Sequence, residues 1–394
     1  MNFDHSFSRE QTCSVKFDAR KVVFGRADVI PLWVADTDFA APEAVTEALV
    51  NRARHPAYGY TLFPESLYES MIDWFRHHHQ WTIEREWIGM APGVVPTLHA
   101  AAMAFAAEGE GVIIQPPVYP PFFSSVRKAG RRVVENPLVV REGRYEMDLE
   151  HLAACAADPS VKVLFLCSPH NPVGRVWSKV ELEAVLEIAR THDVVVISDE
   201  IHADLVYSDR PGHHMLATLA QPDDPLLTTV APSKTFNVPG MGLSAVVSQR
   251  QDLLRKLNGV FDSLHMLQCN PFSITAFEAG YRYGAEWLAE MMAYVRGNRD
   301  FVLGFVEQRL PELRVTDPEG TYLLWLDCRA LGLDDGALKR FMVEQAGVGM
   351  NPGISFGEQG SGFMRLNLGS PLAVIRRAME QIEVAVVGQR SGSR

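Results

Sequence analysis

A chain of 394 residues with 47% hydrophobic and 22% charged side chains can bury a sizeable core, which excludes global disorder and a single small binding module. Its 37 Lys+Arg against 48 Asp+Glu leave a formal net charge of −11, which argues against the basic face that a nucleic-acid partner would need.

Residues 1–45 carry two apolar clusters, Val22-Val23-Phe24 and Ile30-Pro31-Leu32-Trp33-Val34, punctuated by Gly, Pro and Asp, and read as an extended arm. From Pro42 the spacing of Ala44, Val45, Ala48 and Leu49 predicts a helix, ended by His55-Pro-Ala-Tyr-Gly-Tyr60. Val94–Ala107 and Lys179–His192 predict two more helices. Between and after them, Val112–Ile114, Val161–Cys167, Val194–Ile197 and Leu226–Val230 are apolar runs without alternation, as expected of strands covered on both faces. Strand and helix in this order predict an α/β fold with a doubly wound, mostly parallel sheet. Beyond Leu253 the pattern lengthens into helices at Ile274–Tyr294 and Arg296–Glu307. It then gives a strand at Tyr322–Asp327, a helix at Asp335–Gln345, a strand at Phe363–Asn367, a helix at Pro371–Val387 and a frayed tail at Gly388–Arg394. The expected division is an arm (1–45) contributing to a smaller α+β domain (286–394), with a larger domain between (46–285).

No stretch predicts a membrane span: Val94 to Ala107 contains Pro96 and His99 and falls short of the roughly 20 residues required. The polar start MNFDHSFSRE lacks the apolar centre of a secretory signal and predicts a cytoplasmic protein. The five cysteines are odd in number, widely spaced and free of any C-x-x-C pair, so free thiols are expected. No metal site is expected, because His77-His78-His79 cannot share one helix face.

The chemistry concentrates where predicted strands end. After Leu226–Val230 comes Ala231-Pro-Ser233-Lys234-Thr-Phe-Asn237, which puts a lysine in a loop between buried elements; such a lysine is costly unless it is paired or used, as in a Schiff base. Alone, Lys234 decides little, since a loop lysine usually points to solvent. After Val194–Ile197 comes Asp199-Glu-Ile-His202, at the carboxyl end of a strand where open α/β sheets bind ligands; a carboxylate there can pair with a protonated pyridine nitrogen. Alone, Asp199 could cap the next helix and His202 could be a core histidine. Asn171-Pro172 with Gly174 is a tight turn at a third strand end, Gly93 opens a helix whose N-terminus could hold a phosphate, and Tyr119 in a proline-rich loop could face a flat ring or simply pack.

Taken together, Gly93-Val94-Val95, Tyr119, Asn171-Pro172, Asp199-Glu-Ile-His202 and Ser233-Lys234 resemble fold-type I pyridoxal-phosphate (PLP) enzymes of the aminotransferase class I/II superfamily. Trp33-Val-Ala-Asp-Thr-Asp-Phe39, Tyr58-Gly-Tyr60-Thr61, Asp199 to Asp204, Ser233 to Asn237, Glu319 to Asp327 and Gly362 to Asn367 are similar to the MalY/PatB type of cystathionine β-lyase. The resemblance implies pyridoxal 5′-phosphate as cofactor, Lys234 as the Schiff-base lysine and later the base, and Asp199 as partner of the pyridine nitrogen. It implies Tyr119 stacking on the ring, Asn171 and His202 near the phenolic oxygen, and Gly93, Val94, Val95 and Ser233 around the phosphate. Tyr60 would reach the phosphate of a neighbouring subunit in a homodimer, Arg365 would clamp the substrate carboxylate, and Asn171, Ala35 and Asp36 would lie beside it. The implied reaction is β-elimination from cystathionine or a related cysteine S-conjugate, giving a thiol, pyruvate and ammonia; the alternatives are an aminotransferase and a PLP-binding regulator acting through a protein partner. Two departures from ordinary aminotransferases fit the lyase branch: Gly242 stands where an arginine usually binds phosphate, and His202 where tyrosine is usual. A third, Thr37 in place of that branch's methionine, bears on substrate choice.

Overall fold

The structure, a computed structural model, describes residues 1–5, 7–266 and 269–392. Seven strands build the central sheet: β1 (Ile88–Ala91), β2 (Gly111–Ile114), β3 (Arg132–Glu135), β4 (Val161–Cys167), β5 (Val195–Asp199), β6 (Leu226–Val230) and β7 (Ser244–Val247). Their order is β1-β7-β6-β5-β4-β2-β3, with β7 antiparallel to both its neighbours and the remaining pairings parallel. Helices cover both faces, which is why β4 runs Val163-Leu-Phe-Leu-Cys167 with every one of these side chains buried. Register then sets the functional edge: Cys167 lies opposite Asp199, and Asp199 opposite Thr229, so β4, β5 and β6 end level.

The helices Glu43–Arg54 and Lys179–His192 match the periodicity, the latter opened by a Ser178/Glu181 capping box. Val94–Phe105 ends two residues earlier than expected, and the closing helix, Leu372–Gly392, continues through most of the tail expected to fray. The long helical region divides elsewhere than expected, into Pro271–Tyr283 and Ala285–Arg309. The break falls at Gly284, where a Cβ would lie 2.3 Å from the Phe236 ring, so packing demands a bare backbone there. Nothing crowds Gly297, and the helix passes through it.

A second, antiparallel sheet has the order β8 (Arg314–Thr316), β9 (Leu323–Asp327), β11 (Phe363–Asn367), β10 (Asn351–Pro352), and places Arg365 between Trp325 and Asn351. The N-terminal arm is less extended than its composition suggests. It forms two short helices, Val15–Asp18 and Arg20–Phe24, and a two-residue strand, Ile30–Pro31, paired with Val348–Gly349. Among the described residues no helix is long and apolar enough to cross a membrane.

Candidate active site

The level ends of β4, β5 and β6 and the start of the helix Val94–Phe105 enclose a cavity of about 290 Å³. Lys234, Asp199, His202, Asn171, Tyr119 and Ala35 line it together with Gly93, Val94, Val95 and Ser233. Sequence-distant segments are thus brought to one place, outside the carboxyl ends of parallel strands.

Lys234 sits on a one-turn helix, Pro232–Thr235, rather than in the loop expected from the sequence; Pro232 starts the turn at a position where its missing N–H costs nothing. Its Nζ donates to the Ala35 carbonyl at 2.6 Å, and the Tyr322 hydroxyl donates to the same oxygen at 3.0 Å. Burial pushes the Lys234 ammonium down to about 8 against the opposing charge of Asp36, with Arg365 adding to the fall.

Asp199 closes β5 and does not cap a helix. Its carboxylate accepts the Ile201 backbone N–H at 3.2 Å, and burial, reinforced by the neighbouring charge of Glu200, pushes its carboxyl up to about 7. His202 is held neutral, its imidazole pushed down to about 3 by burial and by the charges of Lys234 and Arg365, and its buried Nδ1 has no hydrogen-bond partner among the described residues. Gly93, at φ +146°, is the N-cap of the helix Val94–Phe105 and offers no side-chain cap, so the first-turn N–H groups remain free for an anion.

Arg365 is buried behind Asn171. One guanidinium nitrogen donates to Asn171 Oδ1 at 3.0 Å, and the other to the Trp33 carbonyl and Asn351 Oδ1, both at 2.9 Å. Among the described residues its Nε has no partner and no carboxylate pairs with it. Burial pushes even this guanidinium down to about 10. Arg365 is therefore not part of a surface ion pair but a buried cation held by neutral acceptors, which suits it to receive a ligand's negative charge.

Three residues named from the sequence lie outside the cavity lining: Arg365 behind Asn171, Asp36 and Tyr60. The Asp36 carboxylate turns to Arg9 and Lys16, and Tyr60 is 96% exposed. The sequence reading did not single out Tyr322, Asn351 or Asp204. Asn351 lies in no motif, whereas Tyr322 falls within Glu319–Asp327 and Asp204 closes Asp199–Asp204, two segments that carried the resemblance without a role for either residue. The three consecutive histidines diverge: His77 and His78 bond the carbonyls of Asp73 and Trp74, while His79 turns inward to Asp204.

The residues present fit pyridoxal 5′-phosphate on features of the cavity itself. A buried carboxylate with no ion-pair partner among the described residues would receive a pyridinium N–H, an uncapped helix start in the same lining as Ser233 would receive a phosphate, and a lysine whose burial eases loss of its proton would receive an aldehyde carbon.

Comparisons with known proteins agree with this reading. The profile of the family "Aminotransferase class I and II" matches residues 27–382. Cystathionine beta-lyase PatB of Bacillus subtilis is 40% identical over 98% of this chain and 100% of its own length. Protein MalY of Escherichia coli is 33% identical over 96% of this chain and 97% of its own. Among solved structures, cystalysin from Treponema denticola, which contains a pyridoxal 5′-phosphate cofactor, superposes with a TM-score of 0.94 at 34% identity, covering 98% of this chain and 99% of that one.

Proposed function

The chain belongs to the aminotransferase class I and II family and is a PLP-dependent enzyme, and from that premise we propose that it cleaves the Cβ–S bond of cystathionine or a related cysteine S-conjugate. The observation that carries the chemistry is a lysine and an aspartate on the walls of one small cavity, with a carboxylate-free arginine behind it. The preference for sulfur rests on full-length identity to cystathionine β-lyases.

PLP bound here supplies a carbonyl for the substrate amine and an electron sink for the pair released at Cα. Arg365 and Asn171 receive the α-carboxylate; the guanidinium fork suits bidentate recognition and fixes which bond at Cα faces Lys234. Lys234 takes the Cα proton, a role that needs a free amine and is served by a pKa of about 8. Asp199 holds the proton at the pyridine nitrogen, and the arriving cation draws its own pKa back down. His202 and Asn171 would border the phenolic oxygen of bound PLP, and Tyr119 would lie against its ring. Gly93, Val94, Val95 and Ser233 would hold its phosphate. With a thiolate as leaving group at Cβ, the electron pair expels sulfur, and water completes the release of pyruvate and ammonia.

The same proposal includes a homodimer in which Tyr60 completes the partner's phosphate site. The exposure of Tyr58, Tyr60 and Leu62 on one segment supports it, since so much uncovered apolar surface suits an interface. Cytoplasmic residence fits five free cysteines. The division into an arm, a larger domain and a smaller one is supported by the seven-stranded sheet lying within 88–247 and the four-stranded sheet within 314–367. The test of function is pyruvate release from L-cystathionine by the purified protein. Release without any keto acid supports the lyase, and activity wholly dependent on a keto acid replaces it with transamination.

A further inference from the structure

The Asp204 side chain is largely buried, and both its oxygens are occupied by donors from other parts of the chain. Oδ1 accepts from His79 Nε2 at 2.7 Å and from Trp74 Nε1 at 2.9 Å, both on the helix Glu65–His79; Oδ2 accepts from the Thr235 hydroxyl at 2.7 Å. Thr235 is fully buried and directly follows Lys234 on the same single turn of helix. A fourth side chain close enough for the charge of Asp204 to act on it, Tyr281 from the helix Pro271–Tyr283, has no hydrogen-bond partner for its hydroxyl among the described residues.

A one-turn helix has little stiffness of its own, so the turn that carries Lys234 depends on outside anchors. One is Asn237, whose amide donates to the Thr37 and Phe39 carbonyls at 3.0 and 2.8 Å. The other is the Thr235–Asp204 bond, and this one reaches the chain that carries Asp199. Residues 199–205 are tied by short-range backbone bonds, Ala203 N–H to the Glu200 carbonyl and Leu205 N–H to the His202 carbonyl. A continuous path of hydrogen bonds and backbone therefore joins Asp199 to Lys234 behind the cavity.

We propose that Asp204, acting through the Thr235 hydroxyl, is a positioning residue that holds Lys234 in register with Asp199, with His79 and Trp74 orienting its carboxylate. This rests on the reading of Lys234 as the acting lysine. Asp204 works by contact, because the charges that act on Lys234 are those of Asp36, Arg365 and Asp199. An error of about 1 Å in such a group costs roughly 100-fold in rate, so loss of one anchor is felt in kcat and not in substrate binding. The proposal also gives the inward histidine of the 77–79 triplet a task that no metal is needed to explain.

The test compares Thr235→Val, which removes the hydroxyl and keeps the shape, with Thr235→Ser, which keeps the hydroxyl and removes the methyl. Each is purified with PLP bound, and its cofactor content, melting temperature, kcat, KM and the pH midpoint of the visible absorption band of the Lys234-bound cofactor are measured. Thr235→Val is expected to bind PLP at wild-type stoichiometry, to lose roughly 10–100-fold in kcat with KM within threefold, and to shift the band midpoint by at least half a pH unit. Thr235→Ser is expected to stay within threefold of wild type, and Asp204→Asn to lose at least as much kcat as Thr235→Val. Equal losses in the two Thr235 variants, or a Thr235→Val enzyme with wild-type kcat and band midpoint, overturn the proposal. A wild-type chain that shows no such band sinks the functional reading and this inference together, whereas a normal wild-type band with a silent Thr235→Val sinks this inference alone.

Discussion

In the N-terminal arm, Arg9 and Lys16 meet Asp36 and Asp38 at 2.6 to 3.7 Å, two cations on two carboxylates, with the Ser370 hydroxyl completing the set. Arg9 shows the result: burial works against its charge, but the bonds and charges of Asp36 and Asp38 hold it above the usual range. In the cavity next door, reached through Ala35, the side chains are buried without such matching. Lys234 falls to about 8, Asp199 rises to about 7 and Arg365 falls to about 10. One cluster fastens a loop and is complete as it stands. The other keeps its charges at a cost in stability, as a site does when ligands bring the missing partners.

That contrast can be broken by substitution. Lys234→Ala removes the proton-moving group and should lower kcat by roughly 10⁴-fold with the fold intact, measured as pyruvate release beside a melting curve. Asp199→Asn should lower kcat by roughly 10²- to 10⁴-fold. Arg365→Ala should raise KM by roughly 10- to 150-fold, the equivalent of about 1.5–3 kcal/mol for hydrogen bonds to a charged group, with a smaller change in kcat.

Asp199 offers a sharper contrast in the cofactor-free protein. Its folded-state carboxyl is raised to about 7, so the stability carried by the protonated form is full below about pH 4 and is lost as pH climbs through 7. Asp199→Asn cannot ionise and should melt about 2 °C or more above wild type at pH 8, with the gap closing near pH 4. A variant that melts lower at pH 8 would show that Asp199 is paired after all. The smallest effect belongs to the arm: Arg9→Gln should cost about 1 kcal/mol of stability and change kcat less than threefold, because Lys16 still faces both aspartates.

Much of this is legible in the amino-acid sequence. Apolar runs without alternation located β4 and β6 to the residue, because buried parallel strands leave no polar face. The strand-end residues Asn171, Asp199 and Lys234 could be grouped because an α/β sheet gathers such ends at one edge. What stayed hidden depended on packing. The break at Gly284 is set by Phe236, forty-eight positions away in sequence, and no local signal marks it. The short helices of the arm and the one-turn helix under Lys234 are below the length at which periodicity can be seen. The pairing of Asp36 with Arg9 and Lys16, and of Asp204 with His79, joins residues whose types suit many partners, and only the fold selects among them.

The most direct measurement is reduction of the purified holoprotein with borohydride followed by peptide mapping. The cofactor should be found attached to the peptide that contains Ser233-Lys234-Thr235, in a one-to-one ratio with the chain, and the label should vanish in Lys234→Ala. Attachment to another lysine, or a holoprotein that retains no reducible cofactor, would contradict the role given to Lys234 and with it the assignment of the cavity.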